Sequence, residues 1–315
     1  MKTRLGIVIG ISFAALLVAH AQRPPVPAPI GILLITGQSN RYHNWEVSSP
    51  IAKHQLEEGG RFAVTVATTP PKGTAPNQDM SSFAPKFSDY RAVVLDYEGF
   101  EFAPSVKQTF VEYVKTGGGL VVLHAADNAF PGWPEYNEMI GVGGWGGFTP
   151  GYSNRTQSAG PKVRWRGTGM ALDHETPGTA QHPSPHDYVM TVRAPEHPIM
   201  KGLPPVWLHA SDEIYSNLRG PAKNLTILAT AIAPASMPNG TGEHEPIIMA
   251  IAFGNGRVFH DTLGHVGATQ KEPIVPMNSV DYRVLLQRGT EWAATGAVTI
   301  PVPADFPTAD RTSVR

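Results

Sequence analysis

The stretch Gly117–Gly141, GGGLVVLHAADNAFPGWPEYNEMIG, decides the fold. Three glycines lead into the apolar run Leu120, Val121, Val122 and Leu123, which His124 ends abruptly. A short apolar run with turn signals on both sides suits a central strand of a parallel sheet, covered on both faces. Polar residues, a Pro-Gly-Trp-Pro turn and a short helix over Glu135 to Ile140 follow. In open parallel α/β sheets, ligands bind outside the carboxyl ends of the strands. His124, Asp127, Asn128 and Trp133 therefore stand where chemistry is expected.

Upstream, Ile30 to Thr36 reads as a first strand entering the loop GQSNRYHNW, which carries His43. Ser49 as N-cap, Pro50 at the first helical position and Gly59-Gly60 as a stop predict a helix over Ser48 to Glu58. Phe62 to Ala67 and Arg91 to Asp96 are the next strands, separated by a Pro- and Ser-containing loop over Thr69 to Lys86. Pro104 opens a helix with Val106, Phe110, Val111 and Val114 on one face, ended at Gly117. This alternation predicts right-handed crossovers and a parallel sheet. Downstream, Gly143 to Pro185 carries one strand, Lys162 to Arg166, and otherwise reads as a long excursion over the rim of the sheet. Tyr188 to Arg193, Thr226 to Ala231 and Ile247 to Phe253 read as strands. Gly254-Asn255-Gly256 makes a tight reversal into a hairpin strand, Arg257 to Leu263, and a last helix spans Tyr282 to Ala294.

The 315 residues include 25 Lys and Arg, 26 Asp and Glu and 12 His, for a net charge of -1. With no basic stripe, nucleic acid is not an expected partner. Cysteine is absent, which excludes disulfides, thiolate nucleophiles, Cys-ligated metals and an acylated lipobox. Lys2 and Arg4, the apolar run Leu5 to Val18 and the small-x-small site Ala19-His20-Ala21 form the three-part pattern of a secretory signal peptide. The expected organisation is a signal peptide at 1–21, a Pro-rich leader at 22–29, one domain at 30–296 and a polar tail at 297–315. The location implied is periplasmic or secreted, with no transmembrane segment after cleavage; an uncleaved anchor is the alternative.

Three segments end in polar residues: VVLHAADN with His124, WLHASDEIY with His209, Asp212 and Glu213, and GRVFHDTLGH with His260, Asp261 and His265. If the sheet gathers its carboxyl ends, they converge on one rim. Neutral imidazoles with carboxylates suit zinc or a similar divalent ion, and they serve as general bases near neutral pH. Each residue also has a plain structural reading. His124 can bond a neighbouring carbonyl, Asp212-Glu213 can start a helix, and His260 can be a satisfied strand histidine. Trp133 can be a sugar-stacking platform or packed core. His174, His182 and His186 read as solvated loop histidines and Glu243-His244-Glu245 as a charged loop. No G-x-S-x-G elbow, Walker A motif, H-E-x-x-H or dinucleotide glycine fingerprint occurs.

The opening ILLITG, then GGGLVVLHAA after a helix, W-P-x-Y, EHPIMKGLP, SDEIY, and GNGRVFHDTLGH before a helix bearing EWA resemble, in that order, the trehalose-utilisation or ThuA-like family. The resemblance runs from Gly31 to Trp292. It implies an α/β three-layer sandwich with a mostly parallel central sheet, of class I glutamine amidotransferase-like (flavodoxin-like) architecture. Amidotransferases of that fold place a nucleophilic cysteine after a central strand. His124 stands there instead, so glutamine hydrolysis by a thiolate is excluded. The resemblance further implies metabolism of trehalose and related disaccharides through 3-keto sugars made by partner dehydrogenases. His124, Asp212, Glu213, His260 and His265 match the family's recurrent polar positions. The expectation is an enzyme acting on a 3-keto-glycoside or disaccharide. In it His124, Asp212 and Glu213 are catalytic, His43, Asp127, Asn128 and Trp133 bind the sugar, and His209, His260 and His265 hold a divalent ion. A non-catalytic carbohydrate-binding scaffold and a metal-dependent amide or ester hydrolase are the alternatives.

Overall fold

The computed structural model describes residues 28–71, 79–144, 160–175 and 179–315. The expected signal peptide, most of the leader, and parts of the 69–86 loop and of the rim excursion lie outside the described residues. The elements in order are β1 (Ile30–Thr36), α1 (Trp45–Glu57), β2 (Phe62–Thr68), β3 (Ala92–Leu95), α2 (Pro104–Lys115), β4 (Gly119–Leu123) and α3 (Pro134–Ile140). Then come β5 (Lys162–Arg166), β6 (Gly169–Asp173), β7 (His186–Val192), β8 (Val206–Asp212), β9 (Leu225–Ile232), β10 (His244–Phe253), β11 (Gly256–Asp261), α4 (Val275–Asn278) and α5 (Val280–Thr295). Among the described residues no helix is long and apolar enough to cross a membrane.

The strands form one sheet in the order β2-β1-β3-β4-β11-β10-β9-β7-β8, with β5 beside β10 and β6 beside β5. From β2 to β11 every pairing is parallel, in an order equivalent to the 2-1-3-4-5 of doubly wound sheets. From β11 onward every pairing is antiparallel. The expected mostly parallel sheet is therefore corrected to a large mixed one. The reason is local. Gly254 and Asn255 join β10 to β11 as a hairpin, with Phe253 opposite Gly256, and a hairpin can only be antiparallel.

Alternation along the parallel strands sends Leu33, Ile35, Leu95, Leu120 and Val122 to one side, where α2 and α3 contribute Phe110, Val114, Tyr136 and Met139. Ile32, Leu34, Val94, Val121 and Leu123 face the other, against Leu56 of α1 and Leu285 and Ala293 of α5. Burial on both sides is why these strands read as unbroken apolar runs.

Several local expectations change. α1 begins at Trp45, and Pro50 lies inside it. Ser49 does not cap the helix; its hydroxyl donates to Asp96 at 2.6 Å. Asp212-Glu213 start no helix, since Asp212 ends β8. The Glu243-His244-Glu245 segment is no solvated loop, because β10 begins at His244 and Glu245 is fully buried. Nη1 of Arg164 donates to both Glu245 carboxylate oxygens at 2.5 Å. Residues 297–315 pack back on the fold, with the Phe306 ring 5.5 Å from that of Trp207.

Gly289 of α5 faces Phe259 of β11, and a Cβ there would fall 2.1 Å from the ring. Alanine would favour the helix by about 1 kcal/mol, but overpacking a core costs about 1–3 kcal/mol, and so deep an overlap belongs at the upper end. Gly289→Ala is expected to lower the unfolding free energy by about 1–2 kcal/mol in urea denaturation. An unchanged or raised midpoint would mean that α5 is not seated this closely.

Candidate functional site

Loops leaving the carboxyl ends of the parallel strands supply most of the site. His43 comes from the β1–α1 loop, Glu98 from the segment after β3, His124 from the turn after β4 and His265 from the loop after β11. Glu213 and Tyr215 arrive from the antiparallel half, just after β8.

His124 leaves β4 at φ +30°. Sparsely populated backbone conformations of this kind cost about 1–3 kcal/mol and cluster at functional sites. The His124 Nδ1–H donates to the Thr262 carbonyl oxygen at 2.6 Å. A carbonyl only accepts, so in the neutral ring Nε2 is a bare acceptor. That Nε2 accepts the Tyr215 hydroxyl at 2.9 Å and lies 3.1 Å from Nδ1 of His265. The Tyr215 ring stacks on His124 with centroids 4.5 Å apart. The His43 Nδ1–H donates to Glu98 at 3.1 Å, while its Nε2 is 3.2 Å from the Tyr215 oxygen. Nδ1 of His265 is also 3.2 Å from Glu213 Oε2. His43, His124 and His265 can each offer a ring nitrogen so that the three lie within 4.8 Å of one another.

Burial dominates the electrostatics. It holds His124 well below the usual imidazole range, with the neighbouring His265 and His43 adding to the effect. Burial, then His43, takes His265 down to about 4. Burial, reinforced by Asp212, pushes the Glu213 carboxyl up to about 8. His124 and His265 are thus neutral at neutral pH, with lone pairs available to a proton or a metal.

Behind the cluster stands a buried strut. Asp212 accepts the backbone N–H groups of Glu213 at 2.8 Å, Gly264 at 2.6 Å and His265 at 3.1 Å. His209 bridges Asp212 at 3.2 Å and Asp281 at 2.7 Å, and Trp207 Nε1–H donates to Asp281 at 2.7 Å. Burial alone would depress His209, but Asp281 and Asp212 outweigh it and hold the imidazole up at about 10.

The structure brings together His43, His124, Glu213 and His265, with Asp212 directly behind them. Asn128 lines the cavity in front. Asp127 is buried, with neither carboxylate oxygen partnered, and burial and Glu98 raise its pKa well above the usual range. Two expected ligands point elsewhere. Both ring nitrogens of His209 are committed to carboxylates, and the His260 Nδ1–H donates to the Ile140 carbonyl at 2.8 Å, on the α3 side. Trp133 is buried among Phe102, Phe110, Phe130 and Tyr136 and lines no part of the cavity, which corrects the stacking platform to packing.

The cavity measures about 490 Å³ and is walled by Asn40, Tyr42, Gln181, His182 and Asn239 besides the residues above. His182 is exposed in a loop, as expected, and that loop forms the lip of the cavity, with Nδ1 3.4 Å from Glu213. Sequence pattern does not single out Glu98, Tyr215 or His182. Glu98 obeys the strand-end rule if that rule is applied to β3 as well as β4. Tyr215 closes the SDEIY motif but follows an antiparallel strand, where no such rule points.

The model of the trehalose-utilisation family, ThuA, matches residues 31–293. A ThuA-like protein from Parabacteroides merdae is 43% identical, over 91% of this chain and 98% of that one, with a TM-score of 0.83. A ThuA-like protein from Bacteroides uniformis is 17% identical over 88% and 98% of the two chains, with a TM-score of 0.54, and shows the shared fold alone. Among proteins with curated descriptions, none matches the chain. The chain belongs to the ThuA family, a family linked to trehalose utilisation and hence to carbohydrate.

The strut makes a pH-dependent prediction. The folded pKa of His209, about 10, lies above its unfolded value of about 6.5, so its stabilisation is complete below pH ~6.5 and is lost as pH rises through the folded value. Asp261, pushed by burial up to about 8, acts in the same direction because ionising it opposes folding. Wild-type stability should therefore fall across that window. His209→Ala, which strands two buried carboxylates, should cost about 3–5 kcal/mol near neutral pH. A flat pH profile in urea denaturation would rule out an ionised His209 bridge.

Proposed function

We propose that this protein is an enzyme that transforms a glycoside oxidised to a ketone on its sugar ring, a 3-keto-glycoside, by proton abstraction. The observation that carries the reading is the juxtaposition of Glu213, 3.2 Å from His265, with His43 and Tyr215 on the wall of one cavity, where His124 accepts the Tyr215 hydroxyl. Its volume, about 490 Å³, lies within the about 300–1,000 Å³ of small-molecule sites. Side-chain amides of Asn40, Gln181 and Asn239 on its walls offer both donors and acceptors for sugar hydroxyls. Membership of a trehalose-utilisation family supports a carbohydrate substrate.

The chemistry follows from the ketone. A ring carbonyl acidifies the C–H beside it. Glu213, which its pKa of about 8 makes a strong base once ionised, takes that proton, and the bonding pair moves into the carbonyl to form an enolate. The Tyr215 hydroxyl and the imidazole group face that oxygen and stabilise its charge. The enolate then expels the glycosidic oxygen from the next carbon, and the leaving alcohol takes its proton from the protonated Glu213. Every proton removed is returned, and no oxidant is consumed.

Two further elements belong to the same proposal. The charged, apolar and small-residue pattern of residues 1–21 supports export to the periplasm or beyond. The parallel half, with its doubly wound strand order and helices packed from both sides, supports a three-layer, amidotransferase-like ancestry for that part of the sheet.

Glu213→Gln keeps the shape and removes the base. Its kcat toward a 3-keto-disaccharide should fall about 10²–10⁴-fold with little change in KM, read by product analysis against native and 3-oxidised glycosides. Turnover at the wild-type rate in a folded variant, or no wild-type conversion of any oxidised sugar, would refute the assignment.

A further inference from the structure

Ring nitrogens of three histidines point into one small space at the site. Thr262 fixes the proton of His124 on Nδ1, and the hydrogen bond to Glu98 takes the Nδ1–H of His43. In the neutral rings both Nε2 atoms are then bare. The Tyr215 hydroxyl lies 2.9 Å from one and 3.2 Å from the other, yet has a single proton to give. Nδ1 of His265 stands between the second pair of acceptors, His124 Nε2 at 3.1 Å and Glu213 Oε2 at 3.2 Å, and can serve only one. The two Nε2 atoms thus compete for one hydroxyl proton, and Nδ1 of His265 brings a third ring nitrogen to the same place. A cation can be held by all three ring nitrogens together.

We propose that His43, His124 and His265 form a divalent-metal centre, with an open coordination position facing the cavity. A tetrahedral ion bound to imidazoles at about 2.0–2.1 Å holds its ligand nitrogens about 3.3–3.4 Å apart. Here His124 Nε2 and His265 Nδ1 are 3.1 Å apart, and the whole trio lies within 4.8 Å. Metal-binding imidazoles almost always donate their other N–H to a carbonyl or carboxylate, which fixes the tautomer. The Thr262 carbonyl does this for His124 and Glu98 for His43. Glu98 is itself held by the Asn40 side-chain amide, which donates to it at 2.9 Å. Three nitrogen ligands favour zinc, cobalt, nickel, copper or iron over magnesium or calcium. Glu213 stays outside the trio, beside the open position. There the ion would polarise an oxygen of whatever occupies the cavity.

This centre rests on ligand geometry and does not require the 3-keto-glycoside reading. The test is therefore made without sugar. Untagged protein is stripped with chelator and titrated with Zn²⁺ by calorimetry, and with Co²⁺ by visible absorption. The expected wild-type result is one ion per chain and the Co²⁺ bands of a site with nitrogen ligands and low coordination number. His43→Ala and His265→Ala should abolish stoichiometric binding. Glu98→Gln, a positioning variant, should weaken it about 10–100-fold while the metal-free denaturation midpoint stays near wild type. A folded, stripped wild type that takes up neither ion would overturn the proposal, as would alanine variants that bind as tightly as wild type. A protein that binds the ion and converts no oxidised sugar would leave this inference standing and remove the functional one.

Discussion

The Asp212 carboxylate holds the two halves of the molecule in register at the site. It sits at the end of an antiparallel strand, yet two of the N–H groups it accepts belong to the loop after β11, the last parallel strand. Hydrogen bonds to a charged group are worth about 1.5–3 kcal/mol each, enough to set the position of a short loop. That loop can come so close only because residue 264 is glycine: its φ is +92°, and a Cβ would lie 2.6 Å from the Tyr282 ring. The charge on Asp212 is in turn balanced by His209, and His209 by Asp281 at the start of α5. A buried chain of alternating charge thus runs from a helix terminus to the backbone N–H groups of Gly264 and His265.

That arrangement gives the histidines two different trades. His209, between two carboxylates, is a structural cation. His43, His124 and His265, crowded together, face one another across a few ångströms. The difference lies in what each ring nitrogen meets, not in depth, since His124 and His209 are both buried. Trp133 makes the same point for aromatics. It joins the cluster of Phe102, Phe110, Phe130 and Tyr136 that seats α3 beneath the turn after β4.

The parallel half was legible because strands buried on both faces leave an unmistakable apolar run, and because ligands gather at strand ends. His124 and His265 follow from that rule. The direction of the other half was harder to read. The Gly254-Asn255 reversal is visible as a turn, but its effect on every later neighbour in the sheet depends on which strands lie beside it. The role of His209 was hidden for a related reason. An imidazole three residues before an aspartate fits a metal site and a salt bridge equally well, and the deciding partner, Asp281, lies 72 residues further on. Glu245 read as surface charge because Arg164, its partner, is 81 residues away.

The walls of the cavity have two origins. The imidazoles and Glu98 hang from loops of the parallel half, whereas Gln181, His182 and Asn239 come from the segments between β6 and β10. The imidazole trio and the amide-bearing walls are therefore inherited on separate stretches of chain, with Glu213 and Tyr215 joining from the second. Descendants of such a protein can exchange one occupant of the cavity for another by rewriting Gln181 and Asn239 while the trio is left untouched.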